Sequence, residues 1–268
     1  MSGLSDERAG LQVEIEGERA TVTLTRPRLR NAMTPLMWEG LARIGGGLPE
    51  NIRVVVIKGD GPSFSAGIDL RLFTPDGVPG EPRAASASDP DFEDKVAGYQ
   101  AGFTWLSRPQ FVSIAAVQGH AIGAGFQLAL ACDLRVLGDD AMLCMKEPAL
   151  GLVPDLGGTK RLVEIVGLPR AIELCMTAKT IDATEAMRIG LTDRVVPVGE
   201  LETTVSTLAK EVLTTKAAAA RATKELLTAA GGRSLEDQTA AERRAQLQLL
   251  TAMMPTPPTP ADPAAPLA

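Results

Sequence analysis

Two carboxylates lie close together in one loop-forming stretch of the sequence. Glu147 and Asp155 are eight residues apart within residues 146–159, KEPALGLVPDLGGT, which hold too many Gly and Pro residues for a single helix. Carboxylates in a loop with apolar neighbours can have raised pKa values, which makes these two candidates for proton transfer. The alternative is structural: Glu147 as a surface charge or a partner of Lys146, and Asp155 as the N-cap of a helix that begins near Gly158.

Two glycine-containing turns each follow an apolar, strand-like run. Their sequences are FSAGIDL at residues 64–70 and GHAIGAG at residues 119–125. Neither has the GxGxxG or GK[ST] pattern of nucleotide-binding loops. Small residues where a strand leads into a helix let a ligand approach backbone N–H groups, where the helix dipole favours negative charge. Two such turns facing each other would form an oxyanion hole; the alternative is that the glycines only permit tight turns.

The composition excludes several classes of function. The chain has 268 residues, a formal net charge of −6 and 3% aromatic residues, which argues against a nucleic-acid-binding surface. His120 is the only histidine, so multi-histidine metal sites are excluded and no metal ligands are predicted. A Ser-His-Asp mechanism would depend on that ring, and no GxSxG motif is present, so we expect a structural role for His120.

The elements that must position these residues alternate between strands and helices. Alternating apolar residues from Leu11 to Leu24 around a Glu-Gly-Glu turn predict a hairpin. Thr34-Pro35 predicts the start of a helix that runs through Ile44 and is ended by three glycines. Further strands are predicted at residues 54–57, 112–117, 134–137 and 141–145. This order favours a layered α/β core.

Irregular segments and a helical C-terminal part complete the chain. Residues 74–91 are rich in Pro, Gly, Ala and Ser, which indicates a lid or an insert. Helices are predicted at residues 201–213, 216–229 and 235–254, and the proline-rich residues 255–268 predict a disordered tail. Residues 111–133 are long enough to span a bilayer, but their Gln, His and Gly residues favour a buried strand, a tight turn and a buried helix. The polar N-terminus does not read as a targeting signal, so we expect a cytoplasmic protein.

Five segments occur in an order and at a spacing typical of one enzyme family. They are Arg26-Pro27 with Asn31-Ala32, then residues 64–70, 119–125, 154–159 (PDLGGT) and 190–197 (GLTDRVVP). Together they resemble the crotonase superfamily, the enoyl-coenzyme A (CoA) hydratases and isomerases. The resemblance implies an α/β fold, a spiral of ββα units over residues 1–198, followed by a helical trimerisation region over residues 199–254. It further implies a homotrimer or a pair of trimers and an acyl-CoA thioester substrate, with no cofactor, because CoA is part of the substrate.

The same resemblance assigns roles to residues of the two turns. The thioester carbonyl would be held by the backbone N–H groups of Ile68 and Ala124; the second position is usually glycine, and alanine can donate the same N–H. Arg28 falls where a basic residue commonly meets the phosphates of CoA. The remaining acyl-CoA-binding residues implied are Ser65, Ala66, Gly67, Asp69, Leu70, Gly123, Gln127 and Pro154. Residues 74–91 and the packing of four rings are expected to shape the acyl pocket, although core filling is the default role of these rings: Phe73, Phe92, Phe103 and Trp105.

The carboxylates decide the reaction that the resemblance implies. Hydratases of the family hold one water between two glutamates, whose positions correspond to Gln127 and Glu147. Gln127 can form hydrogen bonds but cannot take a proton, so that water site is incomplete. Asp155 matches an acidic residue of the dienoyl-CoA isomerases, and moving a double bond needs only a base that removes and returns a proton. We therefore favour an isomerase with Glu147 or Asp155 as the base; the alternatives are a hydratase that uses Glu147 and a non-catalytic acyl-CoA binder.

Overall fold

The computed structural model describes residues 3–81, 88–192 and 194–254, in which strands and helices alternate. The strands are β1 (Leu11–Glu16), β2 (Arg19–Leu24), β3 (Val54–Gly59), β4 (Val112–Val117), β5 (His120–Ile122), β6 (Leu134–Gly138), β7 (Met142–Cys144), β8 (Ile181–Asp182) and β9 (Arg194–Val196). The α-helices are α1 (Pro35–Gly47), α2 (Phe92–Thr104), α3 (Ala124–Ala131), α4 (Gly158–Val166), α5 (Leu168–Thr177), α6 (Ala183–Arg188), α7 (Leu201–Leu213), α8 (Ala217–Ala230) and α9 (Leu235–Met253). The predicted α/β class is confirmed.

Six strands form the main sheet, in the order β1-β2-β3-β4-β6-β9. The first two are the predicted antiparallel hairpin, and every later pair of neighbours is parallel. Parallel neighbours need crossover connections, which is why helices or long loops separate them along the chain. A second sheet of three strands has the order β5-β7-β8.

Both faces of the central strands are buried. On β3, Val55 and Ile57 belong to the larger core cluster, whereas Val54 and Val56 belong to a smaller one. Because alternate side chains of a strand point to opposite faces, the continuous apolar run of β3 reflects burial on two sides. Helix α7 covers the second face with four side chains of the smaller cluster: Leu201, Val205, Leu208 and Ala209.

Helix α1 is longer than the sequence predicts. It begins as expected, with Pro35 as its first residue and the Thr34 hydroxyl accepting a hydrogen bond from a backbone N–H of the first turn. The predicted end at Ile44 is wrong, since the helix continues through Gly47. A β-carbon at Gly45 would lie 2.4 Å from the Trp105 ring, so this glycine permits close packing instead of ending the helix.

The apolar stretch of residues 111–133 contains one more strand than predicted. β4 is followed by the three-residue strand β5, which pairs with β7, and only then by α3. The single expected turn is therefore two turns, at Gly119 and Gly123, whose φ angles are 53° and 51°. Among the described residues, no helix is long and apolar enough to cross a membrane.

Two compact units divide the chain, up to Thr214 and from Thr215 onward. The first contains every element from β1 to α7, and the second contains α8 and α9, neither of which has a buried residue. The three helices predicted after residue 200 are confirmed as helices. Their role in oligomerisation stays a prediction, and the predicted tail of residues 255–268 lies outside the described residues.

The irregular segment before α2 is described only in part. Residues 74–81 and 88–91 contain neither a helix nor a strand, which agrees with the prediction for them. Residues 82–87 of the same predicted segment lie outside the described residues.

Candidate active site

An apolar cavity of about 410 Å³ lies in the first unit, between the two glycine turns and the loop before α4. Cavities of this size with a few polar groups are typical binding sites for small molecules. Nine of the residues predicted to act in catalysis, in the oxyanion hole or in acyl-CoA binding line it: Ala66, Gly67, Ile68, Leu70, Gly123, Ala124, Gln127, Glu147 and Asp155. The fold therefore brings together both glycine turns and both candidate carboxylates.

The two glycine turns are hydrogen-bonded to each other. The Ser65 N–H donates to the His120 carbonyl oxygen at 2.8 Å, and the Ile122 N–H donates to the Ser65 carbonyl oxygen at 3.0 Å. Gly67 is in close contact with the second turn, because a β-carbon there would lie 2.5 Å from the Ile122 oxygen and 3.7 Å from the Ala124 nitrogen. The two turns therefore face each other, as an oxyanion hole requires.

Two backbone N–H groups at this junction are free to bind a ligand. Ala124 is the first residue of α3, so its N–H has no acceptor inside the helix. Within the described part of the chain, neither this N–H nor that of Ile68 donates a hydrogen bond to another protein group. Both residues line the cavity, and the helix dipole of α3 adds partial positive charge there.

Ser65 and Asp69 hold the first turn in place and do not line the cavity. The Ser65 hydroxyl donates to the Asn31 carbonyl oxygen at 2.8 Å and accepts from the Gly67 N–H at 3.1 Å. The Asp69 carboxylate accepts from the Arg71 guanidinium at 2.7 and 2.9 Å and from the Arg26 guanidinium at 3.2 Å. The hydrogen bonds from Arg71 hold the pKa of Asp69 below its usual range, against an opposing effect of burial.

Glu147 begins a short 3₁₀ turn after β7 and is only 8% exposed. This burial contradicts the interpretation of Glu147 as a surface charge. Its Oε1 lies 3.2 Å from where a β-carbon of Gly123, the residue before Ala124, would be. Burial raises the pKa of Glu147, and the nearby Asp155 charge raises this pKa further, while hydrogen bonds, including one from Gln127, oppose the rise. A carboxylate with a raised pKa beside N–H donors is suited to general base catalysis.

Gln127, on the first turns of α3, contacts Glu147 and the loop before α4. Its Nε2 donates to Glu147 Oε1 at 2.7 Å, and its Oε1 accepts from the N–H groups of Leu156 at 2.9 Å and Gly158 at 3.1 Å. The side chain is 1% exposed. The other carboxylate oxygen, Glu147 Oε2, is buried and has no hydrogen-bond partner within the described residues.

Asp155 lies at the exposed side of the cavity, in the same loop. It is not the N-cap of α4, because Gly157 occupies that position without a side-chain cap, so that interpretation is wrong. The Gln100 side chain donates to the Asp155 carbonyl oxygen at 2.7 Å and ties the loop to α2. Although the residue is exposed overall, the protein atoms around its carboxyl group raise the pKa of Asp155 by desolvation. Pro154, beside it, is half-buried and does not line the cavity.

Arg28 and His120 lie outside the cavity lining. Arg28 is exposed in a 3₁₀ turn after β2. His120 is half-buried in β5, with its Nδ1 at 3.3 Å from the Ser63 hydroxyl oxygen, an arrangement that supports a structural role. The described residues contain no cluster of His, Cys, Asp or Glu side chains that could hold a metal ion.

Sequence reasoning missed several residues of the cavity wall. Trp38 on α1 and Tyr99 on α2 line it, with ring centroids 5.0 Å apart, and Lys146 lines it beside Glu147. By contrast, two of the four rings expected to shape the acyl pocket, Phe73 and Phe92, are exposed and line the cavity, whereas Phe103 and Trp105 are buried, in agreement with their default role in core filling. Only the packing of α1 against α2 brings Trp38 and Tyr99 together, so no local sequence signal identifies them.

Comparison with known proteins identifies the family of the chain. The sequence matches the family model of the enoyl-CoA hydratases and isomerases over residues 14–254. The chain belongs to the enoyl-CoA hydratase/isomerase family. A Thermobifida fusca protein assigned to the enoyl-CoA hydratases and solved with CoA is 57% identical, with a TM-score of 0.89 over 92% of this chain and 95% of that one. The same T. fusca protein has been solved with acetoacetyl-CoA.

Other members of the enoyl-CoA hydratase/isomerase family are named for different reactions. A Mycobacterium tuberculosis protein assigned as an enoyl-CoA hydratase is 32% identical over 235 residues, which are 87% of this chain and 86% of that protein. The human mitochondrial Δ(3,5)-Δ(2,4)-dienoyl-CoA isomerase is 34% identical over 207 residues, which are 76% of this chain and 63% of that protein. Family membership confirms the crotonase resemblance and fold. Because members of the family differ in the reaction they catalyse, the reaction has to be inferred from the side chains of the site.

Proposed function

We propose that this protein moves the carbon–carbon double bond of an enoyl-CoA thioester through an enolate. The observation that carries the proposal is the pairing of Gln127 with Glu147, in which an amide donates to the carboxylate at 2.7 Å. An amide cannot take up or release a proton, so the pair lacks the second acid that the hydratases of the family use. One buried carboxylate beside two free N–H groups suffices for proton transfer at the carbon next to a thioester carbonyl.

An acyl-CoA thioester is the proposed substrate. The T. fusca relative binds CoA and acetoacetyl-CoA, and the apolar wall of the cavity suits an acyl chain. The thioester oxygen would accept hydrogen bonds from the N–H groups of Ile68 and Ala124, and Ala66 and Gly67 would flank the path of the CoA arm. Arg28 would meet the CoA phosphates. No resident cofactor is needed, because the thioester itself stabilises the carbanion as an enolate.

The proposed reaction consists of two proton transfers. The Glu147 carboxylate takes a proton from C2 of a 3-enoyl thioester, the C–H electrons form a C1–C2 double bond, and the thioester oxygen becomes an oxyanion. The carbonyl then re-forms, a C2–C3 double bond forms, and C4 takes a proton from Glu147 or from Asp155. If Asp155 supplies it, Glu147 loses its proton to solvent and Asp155 regains one. The double bond has moved from C3–C4 to C2–C3, and no atom is gained or lost.

Two features support Glu147 over Asp155 as the base. Glu147 Oε1 would lie 3.2 Å from a β-carbon at Gly123, and the next residue, Ala124, would supply one of the oxyanion donors, so this base would be close to the carbon that loses its proton. Asp155 is exposed, and its charge raises the pKa of Glu147. We propose that Asp155 raises the basicity of Glu147 when it is ionised and serves as the second proton donor when it is protonated.

Hydration of a 2-enoyl thioester is the second candidate. The names of several relatives favour it, and Glu147 keeps one of the two family glutamates. In this alternative, Glu147 would activate the water, either alone or together with Asp155.

Product analysis in heavy water separates the candidates. The protein is incubated in D₂O with 2-enoyl- and 3-enoyl-CoA of one chain length, and the products are separated by chromatography and weighed by mass spectrometry. We expect the 3-enoyl thioester to become the 2-enoyl isomer without gaining the mass of D₂O. Faster formation of a D₂O adduct from the 2-enoyl substrate would overturn the proposal in favour of a hydratase. Tight binding without either reaction would overturn it in favour of a non-catalytic binder.

Two isosteric variants identify the base. Glu147→Gln should abolish isomerisation and keep the affinity for CoA. The Asp155→Asn variant should keep a measurable kcat/KM. Because the substitution removes the negative charge that raises the pKa of Glu147, the acid limb of its kcat/KM-against-pH profile should move to lower pH. An inactive Asp155→Asn protein beside an active Glu147→Gln protein would assign the base to Asp155.

A further inference from the structure

The orientation of the Gln127 amide is determined by the backbone around it. The N–H groups of Leu156 and Gly158 can only donate, and both point to the same side-chain atom, so that atom must be the amide oxygen. The NH₂ group is then on the side of Glu147 and has to donate to Oε1. Side-chain amides are often ambiguous in this respect, but these three contacts allow only one orientation.

This orientation makes the two oxygens of Glu147 unequal. Oε1 accepts from an NH₂ group that cannot rotate away without leaving two buried N–H groups unsatisfied, so Oε1 is kept as an acceptor. Oε2 has no hydrogen-bond partner within the described residues and is the oxygen on which a proton can reside. The hydrogen bond from Gln127 also favours the ionised carboxylate and so lowers the pKa of Glu147, against the effect of burial.

The same amide fixes the loop that carries the second carboxylate. Leu156 follows Asp155 directly, so the hydrogen bond that its N–H donates to Gln127 Oε1 determines where this part of the loop lies. The fit is tight: a β-carbon at Gly158 would lie 2.6 Å from Gln127 Cγ, and only glycine has room there. One buried side chain thus joins Glu147 to the Asp155 loop.

We propose that Gln127 is a positioning residue, which assigns the transferable proton to Oε2 of Glu147 and holds Glu147 and Asp155 at a fixed spacing. This inference rests on the proposed function. A glutamate at position 127 could not do the same, since its second oxygen would face Glu147 Oε1 across 2.7 Å, and two carboxylates at that distance must share a proton. The amide therefore lets Glu147 ionise alone.

The test compares Gln127→Leu with Gln100→Leu as a matched control. Gln100 also holds the loop, through the Asp155 carbonyl oxygen, but has no hydrogen bond to Glu147. We expect Gln127→Leu to lower kcat and to shift the acid limb of kcat/KM to higher pH by about one unit, because a hydrogen bond to the carboxylate is lost. Gln100→Leu should raise KM and leave the acid limb in place.

A spectroscopic titration of Glu147 keeps this test independent of the proposed reaction. The carboxyl stretch of Glu147 is followed by infrared spectroscopy as a function of pH, with the Glu147→Gln protein as the blank that assigns the band. Gln127→Leu should raise the pH at which the band appears, whether or not the protein isomerises the substrates offered. Gln127→Glu is the second variant, to be used if the leucine variant does not fold, because its carboxylate still accepts from the Leu156 and Gly158 N–H groups. It should also raise the pH at which the Glu147 band appears. An unchanged titration in the folded variants, or an equal shift in Gln100→Leu, would overturn the proposal.

Discussion

Replacement of Gly67 by Ala is the most direct test of the proposed oxyanion hole. Gly67 has a φ of 86°, and an added β-carbon would lie 2.5 Å from the Ile122 carbonyl oxygen. A contact this short forces apart the two turns that carry the N–H groups of Ile68 and Ala124. The substitution therefore moves the donors without removing any polar group from the cavity.

The size of the effect follows from two separate costs. The left-handed backbone costs an alanine about 1–2 kcal/mol, and relief of the clash costs about 1–3 kcal/mol more, so the free energy of unfolding should fall by about 2–5 kcal/mol. Misplacing one oxyanion donor should lower kcat by about 10²–10³-fold. Gly190→Ala is the control, since Gly190 has a φ of 77° and no heavy atom would lie within 4 Å of the added carbon. It should show only the backbone cost and keep its kcat.

The assay measures urea unfolding together with kcat and KM for a 3-enoyl thioester, at a temperature where both variants are folded. Near-ultraviolet circular dichroism verifies the folded state before each kinetic run. A folded Gly67→Ala protein with the kcat of the parent would refute the placement of the oxyanion hole at these two turns.

Two further predictions concern the support of the first turn and the cavity wall. Asp69→Asn should lower the free energy of unfolding by about 1–3 kcal/mol at pH 7, because the carboxylate accepts from the Arg26 and Arg71 guanidinium groups. Folding lowers the pKa of Asp69, so the difference in unfolding free energy between the parent and the variant, measured by urea unfolding, should be complete above about pH 4 and should shrink as the pH falls through the folded-state pKa. A difference in unfolding free energy that does not depend on pH would contradict this prediction. In a Trp105→Phe protein, the remaining tryptophan, Trp38, lines the cavity, so its emission should change with an acyl-CoA and change much less with CoA alone. Unaltered emission at saturation with the acyl-CoA, with binding verified by calorimetry, would contradict this assignment.

Local sequence patterns predict those strands and helices whose buried residues recur at a regular spacing or in a continuous apolar run. The apolar run of β3 and the alternating residues of the first hairpin identify these strands directly. The end of α1 depends on Gly45 packing against the Trp105 ring, and β5 exists because three residues pair with a distant strand. Such contacts have no signature within a window of neighbouring residues, which explains these two errors.

The candidate site, like the fold, is predictable from the sequence only in part. The sequence and its family resemblance point to Glu147, Gln127 and the N–H groups of Ile68 and Ala124, and all four residues line one cavity. The resemblance could not show that Ser65 is bonded to the backbone around it instead of lining that cavity, because this depends on a contact with Asn31. It also could not predict the direction of the Gln127 amide, which the N–H groups of a distant loop determine.

The pairing between the two glycine turns links this site to the course of folding. The hydrogen bonds of Ser65 with His120 and Ile122 join residues more than fifty positions apart in the chain. Loop closure over such a distance has an entropic cost that no short segment can offset alone, so we expect the paired turns to form together with the central sheet. A partly folded chain that lacks β5 could therefore not form the proposed oxyanion hole, and the return of the proposed isomerase activity during refolding would report the completion of this long-range contact.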